Sequence, residues 1–469
     1  MTDSSSATAD VVDTRPQWFG HPAQLARLFT TEAMERFGYY GMRALLTLYL
    51  AEHFLFNDGT TTSLYGGFTA LVYLTPLVGG LLADRYLGAK RAVKFGAILM
   101  SLGYFTLCFG GEAAKPYAVI EGQRYEVTIS GSGDNKQQHV QLAGQDLVIK
   151  GNEDGTVSLN NSAGQPVRTI AKGGFEAGGQ RSPLHVMILL LGLSAVTVGN
   201  GFFKPNISTM VGSLYATGDR RRDAGFTIFY MGINLGSLGS QLACPFLADA
   251  YGWWAGFLLA ALGMALSWFL IQFAGPKLAG YGEPPAEGAD RSLLIYVGAV
   301  LMVPVMWFLF DNLMQMPPPA EGAGILGYVL GLPILGKVLF ATFLVSVIGI
   351  PIWSFAVGTR QEAQMMLAAI ILIVFNVFFW TLFEQAGSSL TLFARRNTDL
   401  SVFGQFSISA GQTQFFNALF IVLLAPLFTL MWQALGRKGQ EPGIPVKFGI
   451  ALMAVGGGFL FLAWGAGFA

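Results

Sequence analysis

Charge is the scarcest property of this sequence. Charged residues make up 12% of its 469 residues, where soluble domains carry roughly 25%. The 28 Lys and Arg balance the 28 Asp and Glu to a net charge of zero, which leaves no basic footprint for a nucleic acid. Cysteine is nearly absent. Cys108 and Cys244 sit in apolar stretches without metal-ligand spacing and read as small packing residues. No GxSxG, no HExxH and no cluster of His and Cys occurs, so neither an enzyme nor a metal or other cofactor is expected.

What is abundant is apolar. Hydrophobic residues reach 53%, with 38 Phe and 60 Gly, the composition of long apolar helices packed closely through small residues. They fall in blocks of about 20 residues, the length that crosses roughly 30 Å of hydrocarbon. About eleven spans are expected, near 25–50, 63–83, 91–111, 184–214, 223–248, 253–275, 292–311, 324–350, 363–394, 412–436 and 445–469. Basic residues set the orientation. Arg85, Lys90, Arg91 and Lys94 lie between spans two and three, Arg220, Arg221 and Arg222 between four and five, and Arg437, Lys438 and Lys447 between ten and eleven. The alternate connections, around Asn57–Thr62, Tyr251–Gly252 and Asn312–Gly324, carry none, although Arg395 and Arg396 break the pattern. The N-terminus is therefore expected in the cytoplasm, with residues 1–24 disordered around the polar MTDSSSATAD.

Residues 112–181 differ in kind. Short alternating runs (RYEVTIS, QDLVIKG, TVSLN, PVRTIA) are separated by the turn-forming SGSGDN, GNEDGT and NSAG. They read as a small β domain inserted between spans three and four on the periplasmic side, against the alternative of a disordered loop. Six spans (25–275) precede a cytoplasmic stretch at 276–291, two helices complete a linker to about 355, and three more spans follow over 356–469. A fold of paired repeats should have matching halves, so the second bundle is expected to be incomplete.

Charges inside spans point to function, because each costs several kcal/mol unless paired or facing water. Glu32, Glu35 and Arg36 lie at i, i+3 and i+4 on one helical face of the first span, with Arg43 two turns on. Carboxylates aligned beside guanidinium groups suit proton binding linked to ion pairs; a purely structural cluster is the plainer reading. Lys204 precedes Pro205 in mid-span, as on the wall of a water-lined cavity. Asn234, Trp380, Glu384 and Asn417 are the polar or amphipathic residues of later spans. A di- or tripeptide is a zwitterion with termini several Å apart. Cations Arg36 and Lys204 from the first half and Glu384 and Asn417 from the second could read its two ends.

At these residues the sequence resembles the proton-dependent oligopeptide transporter family of the major facilitator superfamily. EAMERFGYYG at 32–41, GGLLADRYLGAKR at 79–91, GNGFFKPNIS at 199–208, FYMGINLGSL at 229–238 and FWTLFEQAGSSL at 379–390 match its motifs in order. The resemblance implies an all-α fold of 6+6 helices with a two-helix linker hairpin. It also implies that Arg36 and Lys204 meet the peptide carboxylate, that Asn234 and Asn417 hold its amino end, and that Tyr40, Tyr73 and Trp380 line the pocket. Glu32, Glu35 and Glu384 would couple protons, and Arg43 with Glu384 would form a periplasmic gate pair whose protonation opens the inward path. Asp84 and Arg85 fall in the superfamily's cytoplasmic loop motif. The family's tenth helix supplies a glutamate that pairs with the lysine matching Lys204; the chain ends before such a helix, so Lys204 is expected to lack an acidic partner. No histidine lies well inside a span, His185 standing at the start of one, so a histidine relay is not implied.

The expected function is proton-coupled symport of di- and tripeptides across a bacterial inner membrane by a monomer, driven by the proton gradient without a cofactor. Its partners would be peptide, protons and lipid. Carriage of another small anionic or zwitterionic solute, such as nitrate or an amino acid, is the alternative within transport. A non-transporting receptor or scaffold using the β domain is the alternative outside it.

Overall fold

The computed structural model describes residues 16–130, 137–152, 154–285, 290–315, 324–402, 404 and 406–468. Of the N-terminal 24 residues expected to be disordered, 1–15 lie outside the described residues, whereas 16–23 form a hairpin of β1 (Gln17–Trp18) and β2 (His21–Pro22). The hairpin is held because Trp18 packs on Phe29 at 5.7 Å and His21 Nδ1 meets the Tyr215 hydroxyl at 2.9 Å. The expected turn SGSGDN and the connection after Gln315 lie largely outside the described residues.

Helices α1 (Gln24–Leu48), α2 (Asp58–Leu82) and α3 (Ala89–Leu107) come next. After them run seven strands: β3 (Lys115–Ile120), β4 (Gln123–Ser130), β5 (Gln137–Leu142), β6 (Gln145–Gly151), β7 (Val157–Asn160), β8 (Pro166–Ile170) and β9 (Phe175–Gln180). Then come α4 (Pro183–Ser213), α5 (Arg222–Tyr251), α6 (Trp253–Gln272) and α7 (Ser292–Met314). The expected span 324–350 is instead broken once, where Pro333 removes a backbone donor, into the short α8 (Gly324–Gly331) and one longer helix, in which α9 (Ile334–Leu344) runs through a wider turn at Val345–Gly349 into α10 (Ile350–Val357). The expected span 363–394 is divided too. A capping box of Thr359 and Glu362 starts α11 (Arg360–Phe383), a tight turn follows over Glu384–Gly387, and α12 (Ser389–Asn397) is separate. A second small hairpin, β10 (Ser401–Val402) with β11 (Phe406–Ser407), leads to α13 (Phe415–Arg437) and α14 (Ile444–Gly465).

Among the described residues, eight helical stretches are long and apolar enough to cross a membrane. The helices outside that set include α1, α3 and α5, and α1 is buried along most of its length by the others. Small residues permit this. A Cβ on Gly79 of α2 would stand 2.0 Å from the Gly201 carbonyl oxygen of α4, and one on Gly236 of α5 would stand 2.1 Å from that of Ala33 in α1. Such approaches let helix backbones touch where lipid offers no hydrophobic drive to associate. The linker helix α7 packs against α2 and α4, with Phe310 fully buried beside Phe68.

The insertion is one antiparallel sheet in the order β8-β7-β6-β5-β4-β3-β9, so β9 returns to pair with β3 and closes the excursion beside its start. Ala118, Ile120, Val127, Val140, Leu147, Leu159 and Ile170 gather on one face as its core. Three strands, KPYAVI, QQHVQL and FEAGGQ, carry too few alternating apolar residues to be read from sequence and are held by pairing with neighbours. Both ends of the insertion are fastened to the α1–α2 turn: Ala114 N–H donates to the His53 carbonyl at 2.8 Å, and Arg181 donates to the carbonyls of Phe54 and Leu55 while stacking on Phe56 at 4.5 Å.

Candidate functional site

Helical spacing places Glu32, Glu35 and Arg36 on one face of α1, and the packing of α1 against α4 and α5 buries them. Arg36 makes a two-pronged contact with Glu35, Nε to Oε2 and Nη2 to Oε1, the latter at 2.6 Å. Its Nε lies 3.5 Å from Glu32 Oε1. The other face of that same Glu32 oxygen receives Lys204 Nζ from α4 at 2.6 Å. Lys204 therefore has an acidic partner, contrary to expectation, because the fold sets Glu32 within reach of the long lysine side chain, 172 positions away. Both glutamates are fully buried, while the Lys204 side chain is 31% exposed toward a cavity. Four charges on a lone helix would each cost about 2.5–3.5 kcal/mol at mid-membrane. Here two carboxylates meet two cations, and Asn200, 3.5 Å from Arg36, fixes its amide on the Val72 carbonyl at 2.8 Å.

Two turns further along α1, Arg43 Nη2 meets Glu384 Oε2 at 2.8 Å and Nε donates to the Tyr65 hydroxyl at 2.5 Å. The expected pair between Arg43 and Glu384 is thus present. Glu384 can reach α1 because α11 ends at Phe383 and the tight turn carries the carboxylate inward. The Tyr73 hydroxyl stands 3.5 Å from its other oxygen.

More links between the first six helices and the later ones continue toward the same end of the bundle. The Thr47 hydroxyl donates to the Gly387 carbonyl, Arg395 pairs with Glu52 at 2.6 Å, and Arg396 makes a two-pronged pair with Asp58 at 2.7 and 2.8 Å. The two arginines that broke the charge pattern are therefore neutralised by acids of the opposite half.

Between these clusters lies a cavity of about 250 Å³. Every residue expected to touch substrate lines it: Arg36, Tyr40 and Tyr73 with Lys204 on one side, and Asn234, Trp380 and Asn417 on the others. Arg43 and Glu384 close its end; Glu32 and Glu35 stand behind the wall. Trp380 and Tyr73 approach ring to ring at 6.2 Å. Sequence reading missed Tyr230, Ser237 and Gln241, which flank Asn234 on the same face of α5 at helical spacing, and Gln414 beside Asn417. Gln241 is notable chemically, since its Oε1 is buried without a hydrogen-bond partner among the described residues.

Asp84 and Arg85 lie apart from the cavity, exposed in the turn between α2 and α3. That turn is clasped from outside. Gly88, at φ +74, lies so close to Glu283 that a Cβ would stand 2.5 Å from its carbonyl carbon. Lys90 pairs with Glu283 at 2.5 Å, and Arg91 pairs with Asp290 at 3.1 Å. The Lys90 ammonium beside Glu283 holds that carboxyl below its usual range.

Comparison with known proteins gives a consistent picture. The model of the POT family matches residues 90–278 and 336–468. The peptide transporter YePEPT of Yersinia enterocolitica is 30% identical over 96% of this chain and 75% of its own length. Dipeptide and tripeptide permease A of Salmonella typhimurium is 28% identical over 96% and 72%. Among solved structures, a mutant of peptide transporter POT in complex with alafosfalin superimposes with a TM-score of 0.64 at 29% identity, over 95% of this chain and 75% of that one. A POT family transporter in complex with 5-aminolevulinic acid does so with 0.63 at 25%, over 92% and 74%.

Proposed function

The chain belongs to the POT family, and from that membership and the cavity's geometry we propose that it carries di- and tripeptides into the cell together with protons, by alternating access. The observation that carries the reading is the convergence on one cavity of all seven residues expected to touch a peptide, with two cations held by two buried carboxylates. Transport rather than catalysis is the activity proposed, in a monomer that needs no cofactor.

Charge counting supplies the coupling. Glu32 and Glu35 against Arg36 and Lys204 form a neutral set of two negative and two positive groups. A peptide carboxylate that docks on Arg36 and Lys204 adds one negative charge to a buried, weakly screened site. Protonation of one glutamate restores neutrality and releases a cation to meet the carboxylate. The peptide amino group, at the other end, meets the amide oxygens of Asn234, Asn417 and Gln241. Arg43 and Glu384 supply the gate, because protonating Glu384 removes the charge that binds the two halves there. With the basic connections placed in the cytoplasm of a bacterial inner membrane, the N-terminus is cytoplasmic and the linked end of the bundle is periplasmic.

Uptake of labelled dipeptide into proteoliposomes under an imposed pH gradient tests the proposal; no accumulation across varied peptides sinks it. Nitrate and free amino acids as competitors separate the narrower reading from carriage of other small charged solutes. Deleting residues 112–181 separates transport from a receptor role, since a transporter keeps uptake without the sheet.

A further inference from the structure

A second concavity, of about 700 Å³, opens between the start of α1 and the end of α6, far along α1 from Arg43. Gln24, Arg27 and Thr30 line it from α1, Leu270 from α6, and Lys277 from the turn Gly275–Leu278 that follows. Arg27 Nη1 donates to the Leu270 carbonyl at 2.6 Å, which ties the two helices and sets a cation in the wall. Lys277 is exposed. Neither cation has a carboxylate partner among the described residues. Gln24 Oε1 is buried there without a hydrogen-bond partner among the described residues, an acceptor in want of a hydroxyl. The first backbone N–H groups of α1 add positive potential at the same end.

The apolar surroundings say what kind of anion fits. Along α6 and at its C-cap, Leu262, Leu266, Phe269 and Phe273 recur at helical spacing on one outward face and are 45–59% exposed. In a membrane that face meets acyl chains. Beside the concavity, the β1–β2 hairpin carries Phe19, 82% exposed, with Trp18 at 5.0 Å, an aromatic pair of the kind found at headgroup depth. A free inorganic anion would use the cations and leave this apolar stripe unused.

We propose that the α1–α6 concavity is a binding site for an anionic phospholipid with a hydroxylated headgroup, of the phosphatidylglycerol type. Its phosphate lies between Arg27 and Lys277, a headgroup hydroxyl donates to Gln24, and its chains follow the Leu262–Phe273 face. Basic pockets beside transmembrane helices recognise acidic headgroups through this combination of charge and apolar wall.

Native mass spectrometry of the protein, released from detergent after incubation with equal amounts of phosphatidylglycerol and phosphatidylethanolamine, tests the site. The expected result is preferential retention of phosphatidylglycerol, lowered about fivefold by Lys277→Gln, as loss of one cation near an anionic headgroup implies, and restored by Lys277→Arg. Arg27→Gln should lower it further but also removes the Leu270 bond, so Lys277, whose side chain makes no hydrogen bond or ion pair among the described residues, is the decisive position. Equal retention of the two lipids, or no difference between Lys277→Gln and the parent protein, overturns the proposal. Displacement of the lipid by millimolar inorganic phosphate overturns it as well, by showing a simple anion site.

Discussion

Lys204 Nζ and Glu32 Oε1 meet at 2.6 Å across the α4–α1 contact, and the same oxygen lies 3.5 Å from Arg36. One carboxylate oxygen thus restrains both cations that are proposed to receive the substrate carboxylate. Release of either requires a change at Glu32, Glu35 or both.

The coupling role is read from Glu35→Gln. The amide keeps the volume of a protonated carboxyl but cannot exchange a proton. Concentrative, pH-driven uptake should vanish, while counterflow of labelled against unlabelled peptide, which needs no net proton movement, should persist. Retained concentrative uptake refutes the role given to Glu35.

Lys204→Gln should discriminate between substrates by their carboxyl end. Hydrogen bonds to charged groups contribute about 1.5–3 kcal/mol, so KM for a free dipeptide should rise roughly 10- to 150-fold. A C-terminally amidated dipeptide, lacking the charge, should be handled alike by parent and variant. An equal loss for both peptides would place Lys204 in structure rather than recognition.

Arg43→Gln and Glu384→Gln each break one pair. If the pair acts as a unit, the double variant should transport no worse than the poorer single variant, a non-additive result in a double-mutant cycle. Additive losses would mean that the two residues serve separate steps.

The sheet is joined to the membrane helices through Arg181, whose guanidinium caps two carbonyls of the α1–α2 turn. Arg181→Ala should speed amide exchange around Phe54–Phe56 while leaving exchange within β4 to β7 unchanged. Uptake should remain. Faster exchange throughout the sheet would show that Arg181 is part of its core.

The clasp on the α2–α3 turn should depend on acid. Lys90 lowers the carboxyl pKa of Glu283 in the folded protein. The pair therefore stabilises fully above the ordinary glutamate range and is lost as pH falls through the depressed folded value, below about 4.5. Limited proteolysis of the 278–292 segment should accelerate over that window in the parent protein. Glu283→Gln should be cut fast at every pH. Because the pair is partly exposed, salt should mimic acid. A parent cleavage rate flat across that window would exclude the clasp.

Apolar block length, Lys and Arg placement and the i, i+3, i+4 spacing of Glu32, Glu35 and Arg36 are local quantities, and for this reason they were legible without a structure. They determined the helical membrane architecture, the position of the sheet insertion and the residues of the first-helix charge cluster. The partner of Lys204 was not legible, because it depends on how the fold sets α4 beside α1, 172 positions apart in sequence. Nor was the face of α5 that adds Tyr230, Ser237 and Gln241 to the cavity, although their spacing from Asn234 carried the signal. Arg395 and Arg396 are exceptions to the charge pattern in sequence, and in the fold Glu52 and Asp58 stand opposite them. Pairing between residues more than three hundred positions apart is a property of tertiary packing. Chain order carries the charges, but only the fold decides which of them meet.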